Sequence, residues 1–126
     1  MRIFMNRWFE KFARKQDISD GILQEAVERA ERGLIDADLG GGVVKQRVAR
    51  EGQGKSGGFR TVILFRTGKR AIFVFGFAKS DRANLSAGEL HAFRMAAKIV
   101  LTLSDAAIET ETKSGRLIEV TYGEDL

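Results

Sequence analysis

The sequence contains no cysteine and no proline, and only one histidine, one tryptophan and one tyrosine in 126 residues. Without cysteine, neither a disulfide framework nor a thiolate zinc site can form, and a single histidine leaves little from which to build a metal centre. No metal and no cofactor is therefore expected. No proline, low-complexity tract or internal repeat marks a linker, and the length suits one domain spanning residues 1–126 around one core. No run approaches the roughly 20 apolar residues of a membrane span. The opening "MRIFMNRWFEKFARK" lacks the uninterrupted apolar segment and small-residue cleavage site of a secretory signal. A cytoplasmic protein without a membrane partner is expected.

What is present is positive charge in one place. The net charge is +4, but Val43 to Arg82 carries ten basic residues against two acids, and Ser104 to Leu126 is acidic, with six acids against two bases. A basic centre of this density is the electrostatic footprint of a polyanion partner, because each neutralised phosphate releases condensed counterions. The competing explanation is solvated strand edges carrying protective lysines.

"MRIF" reads as a short opening strand, followed by a helix on which Trp8, Phe9, Phe12 and Ala13 form one stripe, ordinarily packed into a core. "SDGILQEAVERAERG" is a second helix, with Ser19 or Asp20 as N-cap and Gly33 as its left-handed stop. The pattern then changes to strand-like runs at Val43–Arg50, Gly58–Arg66 and Arg70–Ala78, and Thr67-Gly68 between the last two predicts a tight antiparallel hairpin. Phe59, Ile63 and Phe65 should face one way, and Arg60, Val62 and Leu64 the other. "SAGELHAFRMAAKIVLTLS" returns to helix, opened by a Ser86/Glu89 capping box, with Leu90, Phe93, Ala97, Val100 and Leu101 toward the sheet. A short helix and a strand around Leu117–Val120 complete the chain. The class is α+β.

"AREGQGKSGGFR", residues 49–60, matches the spacing of a phosphate-binding P-loop, but that loop must open a helix, and here "GGFRTVILF" is a strand. What remains is a basic glycine-rich loop between antiparallel strands. Lys45 and Arg47, two residues apart, emerge on one strand face. With Arg60 opposite them, three cations converge beside a loop that adds Lys55, with Arg50 at its entrance.

The stretch "VVKQRVAREGQGKSGGFRTVILF" followed by "RAIFVFGFAKSDRANLS", with "WFEKFAR" and "RAERGLIDADLGGG" before and "RLIEV" after, resembles the RelE/ParE superfamily of bacterial toxin-antitoxin toxins, especially its RelE/HigB-like branch. The resemblance runs across nearly the whole chain and rests on the order and spacing of the motifs. It implies a RelE-like fold: a small antiparallel sheet with two N-terminal helices and a C-terminal helix packed on it. It further implies a toxin that enters the ribosomal A site and cuts messenger RNA without a metal, by attack of a ribose 2′-hydroxyl on its adjacent phosphate. A cognate antitoxin, of a kind that often carries a helix-turn-helix DNA-binding domain, would disable it.

Carried over by position, the resemblance assigns Lys45, Arg47 and Arg60 to the catalytic set and Arg50, Lys55, Lys79 and Arg82 to RNA binding. Where many relatives place a tyrosine or histidine, this chain has Asn84, Leu85 and Ser86. His91 should be an exposed helix residue and Tyr122 a packing residue of the last strand. Two other readings use the same patch: a non-catalytic RNA- or DNA-binding module, and a ParE-type inhibitor of gyrase.

Overall fold

The computed structural model describes residues 1–50 and 54–121, with the backbone alone described for residues 54–56. Ten elements follow in chain order: β1 (Arg2–Asn6), α1 (Arg7–Lys15), α2 (Asp20–Glu31), β2 (Ala37–Gly40), β3 (Val43–Arg50), β4 (Gly54–Arg66), β5 (Arg70–Ala78), α3 (Ala87–Val100), α4 (Asp105–Lys113) and β6 (Leu117–Glu119). The strands form one sheet in the order β2-β3-β4-β5-β1-β6.

The consecutive strands β2 to β5 are antiparallel, as the short connections between them require. The sheet as a whole is mixed, because β1 lies parallel to β5. The chain leaves β1, builds α1, α2 and the meander, and returns to β1's side only at β5, so direction is not constrained by a hairpin there. β2 was not legible as a strand in "LIDADLGGG"; its four residues alternate between half-buried and exposed and gain their strand character from pairing with β3.

Side-chain alternation divides the apolar residues between the two sheet faces. On one face Phe59, Ile63 and Phe65 pack with Val44, Phe73 and residues of α1 and α2, including Phe9, Leu23 and Val27. On the other, Val62 and Leu64 pack with Val43, Ile72 and residues of α3 and α4, including Ala97, Leu101 and Ile108. The expected division of β4 therefore holds.

The helix ends follow local chemistry. Ser19 caps α2, Ser86 and Glu89 form a reciprocal capping box on α3, and Ser104 caps α4. Two arginines of the basic segment serve structure. Buried Arg70 donates to the Val100 and Leu103 carbonyls at 2.9 Å each, and Arg66 donates to the Leu101 carbonyl at 3.3 Å. Cations at the carbonyl end of α3 are favoured by the helix dipole.

The α1 stripe departs from expectation in one residue. Phe9 and Ala13 are buried, but Trp8 remains 46% exposed. Asn6 ends β1 and caps α1 at once, accepting from the Phe9 N–H at 2.8 Å while its own amide donates to the Val74 carbonyl at 3.2 Å. α1 therefore starts at the side of β5, and Trp8 falls at the sheet margin.

Candidate nucleic-acid interface

On the α3 side of the sheet, three cross-strand rows grade from apolar to basic. The first is Val43, Leu64 and Ile72; the second Lys45, Val62 and Phe75; the third Arg47, Arg60 and Phe77. Helices cover the first row, and the third brings the two arginines face to face. Directly opposed residues on antiparallel strands have Cβ atoms about 5 Å apart, and like charges so placed repel.

A neighbouring carboxylate settles the conflict for Arg47. Its backbone N–H donates to Asp36 at 2.7 Å and its guanidinium at 3.3 Å. Burial works to raise the Asp36 pKa, but these hydrogen bonds and the charges of Arg47 and Arg29 prevail and hold it below the ordinary carboxylate value. Among the described residues Arg60 has no such partner. Its Nη1 is buried and makes no hydrogen bond among the described residues. A buried guanidinium nitrogen left unsatisfied is costly.

Asp36 is itself held in place. The buried Gln46 accepts from the Asp36 N–H at 2.7 Å and donates to the Ala26 and Leu34 carbonyls at 3.0 and 3.2 Å. Arg29, 8% exposed, bonds Glu25 and donates to the Arg47 carbonyl, and its Nη1 lies 3.6 Å from Asp36. Sequence reasoning missed both supports. A glutamine at an inward position of an otherwise apolar strand, and an arginine on the core stripe of α2, are the signals that would have found them.

The remaining expected residues take different places. Lys45 Nζ donates to Asn84 Oδ1 at 3.2 Å, so the segment after β5 reaches the cluster through Asn84. Arg82 is committed: it forms a forked ion pair with Glu89, donates to the Asn84 carbonyl at 3.1 Å, and lies over the rings of Phe75 and Phe77. That bonding draws the Glu89 pKa down to about 2, chiefly through the Arg82 hydrogen bond. Arg82 therefore shapes the site and braces Asn84. Lys79 is exposed just beyond β5.

Arg50 lies elsewhere than expected: its guanidinium sits 5.2 Å from the ring of Phe59, on the opposite face, because strand alternation puts it with Val44 and Val48 and not with Lys45 and Arg47. The glycine loop is also shorter than expected. Gly54 to Gly58 belong to β4, and Arg50 pairs with Gly54. A Cβ on Gly58 would stand 1.9 Å from the Val48 carbonyl oxygen, so this glycine lets the strands close. No helix follows it, which removes the P-loop reading. The Lys55 side chain, and Tyr122, lie outside the described residues. His91 is exposed on α3, as expected.

Among the described residues no group of three or more histidine and acidic side chains could hold a metal ion, and no helix is long and apolar enough to cross a membrane. A search of curated proteins finds no match. The family model described as RelE toxin of the RelE/RelB toxin-antitoxin system matches residues 1–120, which takes in every element from β1 to β6, and the chain belongs to that toxin family.

Proposed function

We propose that this toxin is a ribosome-dependent endoribonuclease that cuts translated messenger RNA. Membership of the family implies a cognate antitoxin as partner; the ribosome, the message and a helix-turn-helix antitoxin belong to the proposal. The observation that carries it is the Nη1 of Arg60, buried between Arg47 and Phe77 and without a hydrogen-bond partner among the described residues. A preorganised guanidinium that protein groups leave unsatisfied is suited to charge that develops on a phosphate in the transition state.

In the reaction, a ribose 2′-oxygen forms a bond to the adjacent phosphorus and the bond from phosphorus to the 5′-oxygen breaks. The 2′-proton passes to a basic acceptor and another proton reaches the departing 5′-oxygen. The products are a 2′,3′-cyclic phosphate and a 5′-hydroxyl. Arg60 holds the non-bridging oxygens, Lys45 adds charge from the neighbouring row, and Arg47 orders the edge through Asp36. Lys55, Lys79 and Arg82 belong to the RNA-binding margin. Arg50, on the other face, is left out of it.

A second reading, a non-catalytic RNA-binding module, draws on a specific feature. Among the described residues, the carboxylates that touch this cluster, Asp36 and Glu89, are each committed to an arginine, and His91 stands exposed on α3. Mapping transcript 5′ ends after brief induction separates the readings, using one message with an intact and a disrupted start codon. The proposal expects new ends in the translated copy alone, and none with Arg60→Ala. Ends appearing equally in both copies would refute ribosome dependence, and toxicity without new ends would refute cleavage.

A further inference from the structure

A chain of packed rings, two of them lying under Arg82, runs from Arg60 to the sheet margin. Phe77 is the cross-strand neighbour of Arg60, the Phe77 and Phe75 ring centroids are 6.1 Å apart, and Trp8 lies 4.6 Å from Phe75. Trp8 also stacks on Phe12, centroids 5.3 Å apart and planes 14° from parallel, so its indole is fixed from two sides while 46% of the residue stays open. Phe12 is positioned in turn by Gly76, where a Cβ would come within 2.5 Å of its ring.

Beside the indole, Trp8, Lys11, Phe12, Lys15 and Gln16 line a groove of about 270 Å³ on α1. Arg14 is paired with Glu10, but Lys11 and Lys15 have no carboxylate partner among the described residues. A held, half-open aromatic plane flanked by two unneutralised cations is the pattern that binds single-stranded nucleic acid: a base on the ring, phosphates on the lysines.

We infer that the RNA strand leaving Arg60 continues over the edge of β5, where Trp8 stacks an unpaired base and Lys11 and Lys15 hold the phosphates beyond it. The inference rests on the proposed RNA-cutting function and adds a selectivity position to it. Phe77, Phe75 and Trp8 follow one another at 6.1 and 4.6 Å, so the stacked base lies within a few nucleotides of the cut and influences where cutting occurs. Purines, with the larger stacking surface, are favoured there.

Trp8 is the single tryptophan of the chain, so its fluorescence reports on this site alone. The full-length toxin is titrated with a short RNA made uncleavable by 2′-O-methyl groups, and with the same RNA carrying one abasic position. Stacking predicts quenching by the intact RNA and weak quenching when the abasic site falls on the stacked position. Trp8→Phe should retain most binding, whereas Trp8→Ala should bind roughly 10-fold more weakly.

In cells, Trp8→Ala should still cut but with a reduced purine preference next to the cut, and Lys11→Gln/Lys15→Gln should lower the salt dependence of binding. Unchanged fluorescence with tight RNA binding would overturn the inference while leaving cleavage intact. So would an unchanged cut-site spectrum in Trp8→Ala accompanied by weaker binding to ribosomes or to the antitoxin, since the groove would then serve one of those partners. Absence of new RNA ends with the parent protein would instead count against the function it rests on, whatever the fluorescence shows.

Discussion

Replacing Arg60 by methionine separates what the residue does for the fold from what it does for chemistry. The buried Nη1 without a hydrogen bond and the directly opposed Arg47 both make this guanidinium a burden on the free protein. An unsatisfied buried polar group costs about 1–3 kcal/mol, and a like-charge cross-strand pair adds a few tenths. Methionine keeps the length and leaves apolar atoms beside Val62 and Phe77. The variant should therefore be more stable by about 1–3 kcal/mol, a rise in melting midpoint of roughly 3–10 °C for a domain of this size. The same change removes the charge proposed to hold phosphate and should slow the proposed cleavage on the order of 10²-fold or more. Urea unfolding of the purified toxin measures the first effect, read as a shift in midpoint at constant slope. End mapping after matched induction measures the second. A variant destabilised by more than about 1 kcal/mol would show that the arginine is a structural partner, and a stable variant cutting at the parent's rate would remove it from the reaction.

Arg60→Lys should also cut poorly while folding normally, because an ammonium lacks the planar fork that meets two phosphate oxygens; end mapping with circular dichroism decides it. Gln46→Leu deletes one acceptor and two donors from a buried position, leaving the Asp36 N–H and the Ala26 and Leu34 carbonyls short of partners. It should lose about 2–4 kcal/mol in urea unfolding and loosen Arg47 through Asp36. The Glu89 carboxyl is depressed to about 2 by its bonds to Arg82 and the Ser86 N–H. A carboxylate lowered on folding stabilises above its unfolded pKa, and that stability is lost as pH falls toward the folded value. Titration of the Glu89 carboxyl by NMR should therefore show it ionised at pH 3, and Glu89→Gln should remove part of the loss of stability between about pH 4.5 and 2.

Local rules made the elements legible. The strands Val43–Arg50 and Arg70–Ala78 were read at their observed ends because alternation, β-branched residues and the Thr67-Gly68 turn agree, and the Ser19, Ser86 and Gly33 signals bound α2 and α3. Alternation also placed Lys45 and Arg47 on one face, since a strand's side-chain period is independent of its partners, whereas Arg60 joins them only through the β3–β4 register. The family motifs, spread over the chain, were visible for the same reason: they are short and local.

Only the tertiary structure decided which charges are available. Sequence counts every cation alike, but ion pairing depends on which acids the fold brings near: Asp36 takes Arg47, Glu89 takes Arg82, the carbonyl end of α3 takes Arg66 and Arg70, and Arg60 Nη1 is left without a partner among the described residues. Arg50, three residues after Arg47, falls by strand alternation on the face of Val44 and Val48, and its guanidinium meets the Phe59 ring there. Trp8 belongs to a helical stripe by sequence, yet β1 passes into α1 at Asn6 beside β5, and that junction leaves the ring half-open at the sheet margin. Local periodicity determines where a side chain points along its own element; whether it meets a counter-charge, a ring or solvent is set by packing between elements distant in sequence.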